Sequence, residues 1–204
     1  MSFLVLKGKC RYCQKPINSS ILLIEIFSGL IFALSFWAFY SISIWIFFFS
    51  LILWSIVLII FFYDLEKKLI PDPLILFLLF LFIFKFFLKF EPNFYSALNY
   101  KEALLGAAFL FLFFYLINYF SQGVFMGLGD AKIAIFFGLF LGLKYSLIFL
   151  WLSFLVGGLV AFFLLILKLK KRKDEIALAP FLIFTFFLFY FFPQIREFFS
   201  NFLW

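Results

Sequence analysis

The sequence predicts an all-α, polytopic membrane helix bundle with about seven transmembrane helices and a cytoplasmic N-terminus. The first observation is composition: 68% of the 204 residues are hydrophobic, 41 are Phe, and the mean hydropathy is +1.21. A water-soluble domain could not bury so much apolar surface. The second is that long apolar runs recur towards the C-terminus, which a cleaved signal peptide does not explain. The third is the uneven distribution of Lys and Arg between the loops.

Seven apolar runs are the predicted spans, and they cover residues 20–40, 42–63, 74–90, 102–120, 131–143, 145–167 and 178–195. Most are long enough to cross roughly 30 Å of hydrocarbon as helices. Helix is expected because an isolated strand would leave its backbone polar groups unpaired in lipid. The turns near Ser41 and Lys144 are very short. Residues 1–18 are predicted to form a short, basic cytoplasmic segment, and residues 19–204 the membrane domain.

The fifth run, residues 131–143, is the shortest. As a helix it would be about 20 Å long, which is less than the usual hydrocarbon thickness. Either this helix continues through Lys144, or Asp130 at its start lies recessed below the cytoplasmic surface. A recessed Asp130 would leave a water-filled notch open to the cytoplasm.

Lys and Arg predict the orientation. If the N-terminus is cytoplasmic, only five of the 17 basic residues fall on the opposite side: Lys85, Lys89, Lys101, Lys144 and Arg196. Cytoplasmic loops carry the excess of Lys and Arg, so this orientation is favoured. The basic loops would face an anionic leaflet, in agreement with a net charge of +7. The charges are spread over several loops, so we expect no nucleic-acid partner.

The residue inventory excludes several kinds of chemistry. The chain has no His, which removes Ser-His-Asp and Cys-His catalysis, HExxH zinc proteases and His-ligated haem. Its two Cys residues, Cys10 and Cys13, are too few for a disulfide framework.

Two aspartates stand out because the predicted topology places them at one side of the membrane. Asp64 ends the second apolar run, and Asp130 starts the fifth. Asp130 could simply be a helix N-cap, with Gly129 permitting a sharp turn before it. Ionisable groups at membrane depth are nevertheless costly and usually functional. The pair, with Gly127-x-Gly129 before one member and Ile-Pro-Asp72 after the other, favours function over capping.

Paired carboxyl groups can hydrolyse an amide without metal or covalent nucleophile. Two carboxylates held close together cannot both ionise cheaply, so they share a proton. The ionised one takes a proton from a water, and the protonated one donates to the substrate carbonyl oxygen. The positive end of the fifth helix favours negative charge on Asp130, which we expect to be the more often ionised partner. Gly127 and Gly129 would let a peptide backbone approach Asp130.

Three stretches together resemble the type IV prepilin peptidases, membrane aspartyl proteases with a GxGD signature. Residues 6–34 resemble that family's basic Cys-x-x-Cys loop running into a helix with an early Glu. Residues 62–76 resemble its first catalytic turn, an Asp followed by Pro-Asp, and residues 123–142 its second, Gly-x-Gly-Asp-x-Lys. A late Pro180-Phe181 also fits. The ordered combination is a far more specific signal than GxGD alone.

The resemblance implies an aspartic-type endopeptidase that cuts the basic leader from type IV prepilins and type II secretion pseudopilins. Such enzymes work at the cytoplasmic face of the bacterial inner membrane. Asp64 and Asp130 match the two catalytic positions. Asp72 matches a neighbouring acidic position. The alternative interpretation is that Asp72 is a helix N-cap followed by Pro73 at N1.

Two further residues match family positions and keep two interpretations each. Glu25 matches an early glutamate that could grip the basic leader, or could complement the dipole of the first turn of its helix. Lys132 matches the lysine after GxGD, and could bias a nearby carboxylate towards ionisation or snorkel to the interface.

The Cys segment departs from the family. Bacterial members usually carry a loop with two Cys-x-x-Cys pairs, linked to zinc and to N-methylation with S-adenosylmethionine. This chain has one pair, Cys10 and Cys13, which we read as the remnant of a larger Cys loop in an N-terminally short chain. A structural zinc site takes four ligands, so these thiols predict at most a partial zinc site. We expect no cofactor for peptidase activity, and zinc and S-adenosylmethionine only if a methyltransferase function survives.

Two alternatives from other classes stay open. A small membrane transporter or channel could use the same aspartates as ion ligands, with paired unwound segments near the bilayer midplane. An inactive assembly protein could bind pilins without cutting them. Aspartates at one edge of the membrane favour hydrolysis.

Overall fold

The computed structural model describes residues 5–6, 8–16, 18–87, 100–123, 126–168 and 178–203. The prediction of an all-α protein is confirmed for these residues, whose only β contact is an isolated bridge between Lys9 and Pro16. The described helices are α1 (Ser19–Phe39), α2 (Ile44–Lys67), α3 (Asp72–Phe87), α4 (Tyr100–Phe120), α5 (Leu128–Ile166), α6 (Ala179–Phe191) and α7 (Pro193–Leu203). The chain divides into two compact units, Met1–Phe62 and Tyr63–Trp204.

The first unit contains α1 and most of α2. Asn18 caps α1, because its side chain accepts a hydrogen bond from the backbone N–H of Ser20 at 3.2 Å. A buried hydrogen bond of 3.0 Å joins the hydroxyls of Ser35 and Ser50, one on each helix. A hydroxyl pair of this kind satisfies both polar groups in an apolar setting. The predicted short turn near Ser41 separates the two helices, as expected.

Helix α5 has 39 residues, roughly twice what one bilayer crossing requires. Gly142 interrupts it with φ 73° and ψ 173°, a conformation that suits glycine. Twelve positions of continuous helix would separate Phe137 from Phe149 by about 18 Å along the axis, yet their ring centroids lie 5.3 Å apart. The chain therefore reverses at Gly142. We call residues 128–141 α5a and residues 143–166 α5b.

This reversal corrects two predicted boundaries. The break lies at Gly142 rather than near Lys144, and α5a begins at Leu128, before the predicted start at residue 131. Hence the helix does not continue through Lys144, and α5a is about 21 Å long, still short of a full crossing. The last predicted span, 178–195, also ends early, since α6 stops at Phe191 and α7 follows at a bend of 103°. Pro193 begins the new helix because proline is tolerated in a first turn and not in a helix interior.

Four described helices are long and apolar enough to cross a membrane, namely α1, α2, α4 and α5, or five if the bent pair α6 and α7 is one span. The count of seven and the cytoplasmic N-terminus are not established by this finding and stay predictions. Because α5 folds back at Gly142, it contains two helical segments, although it counts as one helix among these four.

In the second unit, α4 packs antiparallel to α5a at very close range. A Cβ added at Gly138 would lie 2.5 Å from Ala107 Cα, and one added at Gly106 would lie 2.6 Å from the Gly138 carbonyl oxygen. Near the other end of the contact, the Asn118 amide donates to the Met126 carbonyl. Small residues let two helix backbones touch in this way, which is how helices associate in lipid.

Helix α6 fills the space beside both halves of α5. Phe186 is fully buried, and its ring contacts those of Phe136, Phe137 and Phe140 at 4.9–5.7 Å. Phe189 reaches Phe149 on α5b at 6.4 Å. These tilted and edge-to-face contacts are favourable aromatic geometries. These contacts form a closely packed aromatic core between α6 and the later turns of α5a.

Candidate active site

Asp64 lies in the last turn of α2 and belongs to the second unit. Its side chain is buried, with 5% of the residue exposed. Its backbone carbonyl accepts a hydrogen bond from the Lys68 N–H at 2.9 Å, and Lys68 has φ 53°, the left-handed conformation that closes many helices. Among the described residues, Asp64 Oδ2 has no hydrogen-bond partner. A buried carboxyl oxygen of this kind is costly and is typical of a site that binds something.

Asp130 lies in the first turn of α5a, so the N-cap predicted for it is wrong. Gly127 is the N-cap, with ordinary extended backbone angles, and the Asp130 N–H donates to the Gly127 carbonyl at 3.2 Å. The side chain of Asp130 turns back and accepts a hydrogen bond from the Gly127 backbone N–H. An acidic residue at the third helical position closes many helix N-termini in this way. Asp130 is partly buried.

The structure brings the two aspartates together. They are remote in sequence, yet the carboxyl groups of Asp64 and Asp130 are near enough to interact electrostatically. One comes from the end of a helix and the other from the start of another. Both aspartates are therefore at helix ends, and neither is next to the break at Gly142.

Asp72 and Lys132 form an ion pair. The Lys132 Nζ lies 2.7 Å from Asp72 Oδ1, and both side chains are substantially exposed. Asp72 is the first residue of α3, so the predicted N-cap role is displaced by one position and Pro73 becomes the second helical residue. The pair joins the start of α3 to the first turn of α5a. Lys132 thus pairs with the carboxylate of Asp72, and both of its predicted roles stay predictions.

The two glycines of the motif have different surroundings. Gly129 is inside the helix, so the predicted sharp turn at this residue is wrong. A Cβ added at Gly129 would lie 3.2 Å from Ile70 Cβ, which shows how closely the turn after α2 approaches α5a. Gly127 is exposed, and a Cβ added there would have nothing closer than 3.9 Å. Sequence reasoning missed Ile70, because one apolar residue in an apolar chain gives no signal.

Glu25 lies in the first unit, as the seventh residue of α1. The first turn of α1 contains no acidic residue, so the predicted complementarity with its first-turn dipole is wrong. Glu25 is half-buried, and its backbone carbonyl accepts a hydrogen bond from the Ser28 hydroxyl at 3.1 Å. Its predicted contact with a basic leader stays a prediction.

Cys10 and Cys13 occupy one tight turn. The Cys10 N–H donates to the Lys15 carbonyl at 2.9 Å, and the Gln14 N–H donates to the Cys10 carbonyl at 3.1 Å. The backbone N–H groups of Cys13 and Tyr12 donate to the Cys10 sulfur and lower the pKa of this thiol. Thiolate character favours metal binding and oxidation. In the part of the chain that the structure describes, no cluster of three or more His, Cys, Asp or Glu could hold a metal.

Comparison with known proteins identifies the family. The family model described as "Type IV leader peptidase family" matches residues 51–162, and that of the "Bacterial Peptidase A24 N-terminal domain" matches residues 1–39. The first match covers more than half of the chain and includes Asp64, Asp72, Asp130 and Lys132. The chain therefore belongs to the type IV leader peptidase family.

Curated relatives carry the name prepilin leader peptidase/N-methyltransferase. The protein from Legionella pneumophila is 29% identical over 184 residues, and that from Xanthomonas campestris pv. campestris 32% identical over 186 residues; each match covers 89% of this chain and 62% of the relative. The protein from Neisseria gonorrhoeae is 31% identical over 169 residues, 82% of this chain and 57% of the relative. The chain thus spans about three fifths of the length of these relatives. No solved structure matches the chain.

Proposed function

We propose that this protein is a membrane aspartic endopeptidase that removes the basic leader peptide from type IV prepilins and pseudopilins. The observation that carries the proposal is that the turn after Asp64 contacts the first turn of α5a, through Ile70 and through the ion pair of Asp72, so that the Asp64 and Asp130 carboxyl groups are near enough to interact electrostatically. Membership of the family and the names of the relatives supply the substrate class.

In the proposed reaction the two carboxyl groups share one proton. The ionised carboxylate takes a proton from a water, whose oxygen attacks the scissile carbonyl carbon. The protonated carboxyl donates its proton to the carbonyl oxygen, which gives a tetrahedral diol. Return of a proton to the amide nitrogen then breaks the C–N bond. The unsatisfied Oδ2 of Asp64 is available to bind the water or the substrate.

Substrate access follows from the surroundings of Asp130. Gly127 is exposed and lacks a side chain, so an extended peptide backbone can approach the carboxyl group from that side. Since α5a is shorter than the hydrocarbon thickness, Asp130 would lie recessed below the membrane surface, in a notch open to the cytoplasm. The leader's Lys and Arg would stay at the interface, with Glu25 as a candidate contact, while the apolar substrate helix lies in lipid.

The proposed topology has seven crossings with the N-terminus in the cytoplasm of a bacterium, in its inner membrane. It counts α5a and α5b separately, which the fold-back at Gly142 supports. The distribution of Lys and Arg supports the orientation.

Methyl transfer is not part of the proposal, although the relatives' names include it. Cys10 and Cys13 supply two of the four ligands that structural zinc takes, and no third candidate ligand joins them among the described residues. This donor set does not fit a structural zinc site by itself. No step of the proposed reaction uses zinc or S-adenosylmethionine.

The proposal is tested with the full chain reconstituted in liposomes and a prepilin substrate bearing a basic leader. We expect cleavage at the leader junction by the parent protein and loss of cleavage, by about 10³-fold or more, in Asp64→Ala and Asp130→Ala. Glu66→Gln is the matched control, since Glu66 is an exposed acid two residues after Asp64. A parent that binds the substrate without cutting it would instead indicate an assembly role. Ion flux that depends on the two aspartates, without cleavage, would indicate a transporter.

A further inference from the structure

The short segment that follows Asp64 is attached to the first turn of α5a at two points. Ile70 approaches Gly129 so closely that an added Cβ would lie 3.2 Å from the Ile70 Cβ. Two residues later, Asp72 forms its 2.7 Å ion pair with Lys132. Gly129 and Lys132 flank Asp130 in sequence, so both attachments lie within one helical turn of a candidate catalytic carboxyl group.

The other end of the segment is attached to Asp64 itself. The Lys68 N–H donates to the Asp64 carbonyl at 2.9 Å, which ends α2 and directs the chain away from it. Three contacts therefore connect Asp64 with the helix that carries Asp130. They are the helix-ending hydrogen bond of Lys68, the apolar contact of Ile70 and the ion pair of Asp72. We call residues 68–72 the bridging segment.

We propose that Asp72 and Lys132 are positioning residues, which hold the bridging segment against α5a and thereby set the separation of the Asp64 and Asp130 carboxyl groups. This inference rests on the proposed peptidase function and assigns to the ion pair a role in that reaction. Neither residue needs to touch the substrate for this role.

The solvent exposure of the Asp72–Lys132 ion pair favours a role in positioning the active site over a role in folding stability. Both side chains are open to solvent, and ion pairs of this kind contribute little to folding stability. The geometry of an active site is far more sensitive, because a displacement of about 1 Å can lower a rate by about 10²-fold. Loss of the pair should therefore slow the chemical step while leaving the fold intact.

Direct binding of the leader is the rival role for the same two residues. Asp72 is acidic and could attract a basic leader, whereas Lys132 would repel it. Because the two charges already neutralise each other at 2.7 Å, their removal as a pair should change the attraction of a cationic leader little. Positioning predicts a change in kcat, and leader binding predicts a change in KM that differs in direction between the two residues.

The test is a double-mutant cycle in liposomes with Asp72→Asn, Lys132→Met and the double variant, together with Lys132→Arg, which keeps the charge. We expect each single variant to lower kcat about tenfold with KM within about twofold of the parent. The double variant should be no slower than the slower single variant, because both changes remove one contact. Lys132→Arg should stay within about threefold of the parent kcat.

Three results would overturn the proposal: unchanged kcat in both single variants, losses that multiply in the double variant, or an effect confined to KM. Asp130→Ala in the same assay keeps the two proposals apart. If it abolishes cleavage while the pair variants equal the parent, positioning alone fails. If it cleaves normally, the proposed function fails.

A distance measurement gives a readout that does not depend on cleavage. Spin labels at Leu65→Cys and Leu128→Cys, both at exposed positions, report on the ends of α2 and α5a. Cys10→Ser and Cys13→Ser remove the native thiols. We expect the distance distribution to broaden in Lys132→Met and to stay unchanged in Lys132→Arg. An equally narrow distribution in all three proteins would contradict the proposal.

Discussion

The two ends of α5a are built differently. At its start, Gly127 is exposed, Asp130 is only partly buried, and the ion pair of Lys132 faces solvent. About two turns further along, Phe136, Phe137 and Gly138 are buried, the two rings among other aromatic rings and the glycine against the backbone of α4. We infer that the two ends have different roles: the aromatic end holds the helix in place, and the end with the proposed catalytic carboxyl group stays accessible.

This division accords with the physics of a protein in lipid. Apolar side chains gain little from leaving lipid, so helix association depends on close packing, which the aromatic end supplies. A carboxyl group in the same environment needs water or a partner. Placing Asp130 in a first turn puts it at the positive end of the helix, where its carboxyl group accepts a hydrogen bond from the Gly127 N–H.

The largest effect is expected at the aromatic end. Phe186→Ala removes a fully buried ring that contacts three rings of α5a, and should lower the free energy of unfolding by about 3–5 kcal/mol. Phe184→Ala on the same helix is the matched control, because Phe184 is 46% exposed. Equilibrium unfolding in detergent micelles measures both. Equal losses in the two variants would show that α6 does not hold α5a through this core.

A smaller loss is expected where α4 and α5a touch. The Cβ of Gly138→Ala would meet backbone atoms of Gly106 and Ala107, so the helices must separate, at a cost of about 1–3 kcal/mol. Gly158→Ala on α5b adds the same methyl group where nothing lies within 4 Å. It should be neutral or slightly stabilising in the same unfolding measurement. If Gly138→Ala matched it, the close approach of the two backbones would be refuted.

The smallest change in stability is expected at the carboxyl end. Gly129→Ala brings a methyl group to 3.2 Å from the Ile70 Cβ. A shift of the largely exposed bridging segment by a few tenths of an ångström relieves this contact, so stability should change by less than about 0.5 kcal/mol. Cleavage should nevertheless fall a few-fold, because the bridging segment moves. A destabilisation comparable to that of Gly138→Ala would mean that both ends of the helix are equally rigid.

Much of the architecture could be predicted from the sequence. The apolar runs at 20–40 and 102–120 agree with α1 and α4 within two residues, because run length and flanking polar residues mark helix ends in lipid. The expectation that Asp64 and Asp130 lie on one side of the membrane came from the predicted topology, because helices of roughly one bilayer thickness return alternate ends to the same side. The electrostatic interaction of the two carboxyl groups agrees with that expectation, while the topology itself stays a prediction.

Other features depend on information that composition does not carry. Helices that are apolar on every side have no periodicity to show which face is buried, so the contacts of Gly106 and Gly138 could not be anticipated. The reversal at Gly142 requires a positive φ that any of the glycines in the chain could have adopted. The ion pair between Asp72 and Lys132 joins residues far apart in sequence, and only the fold brings them within reach.

The most direct test of the central claim is whether Asp64 and Asp130 act as one unit. Single-turnover cleavage of a prepilin substrate is measured for Asp64→Asn, Asp130→Asn and the double variant, with Glu66→Gln as control. Each single substitution should lower the rate by about 10³-fold or more, and the double substitution should lower it no further. A single variant that cleaves within tenfold of the parent, or a double variant whose loss equals the product of the two single losses, would contradict the account.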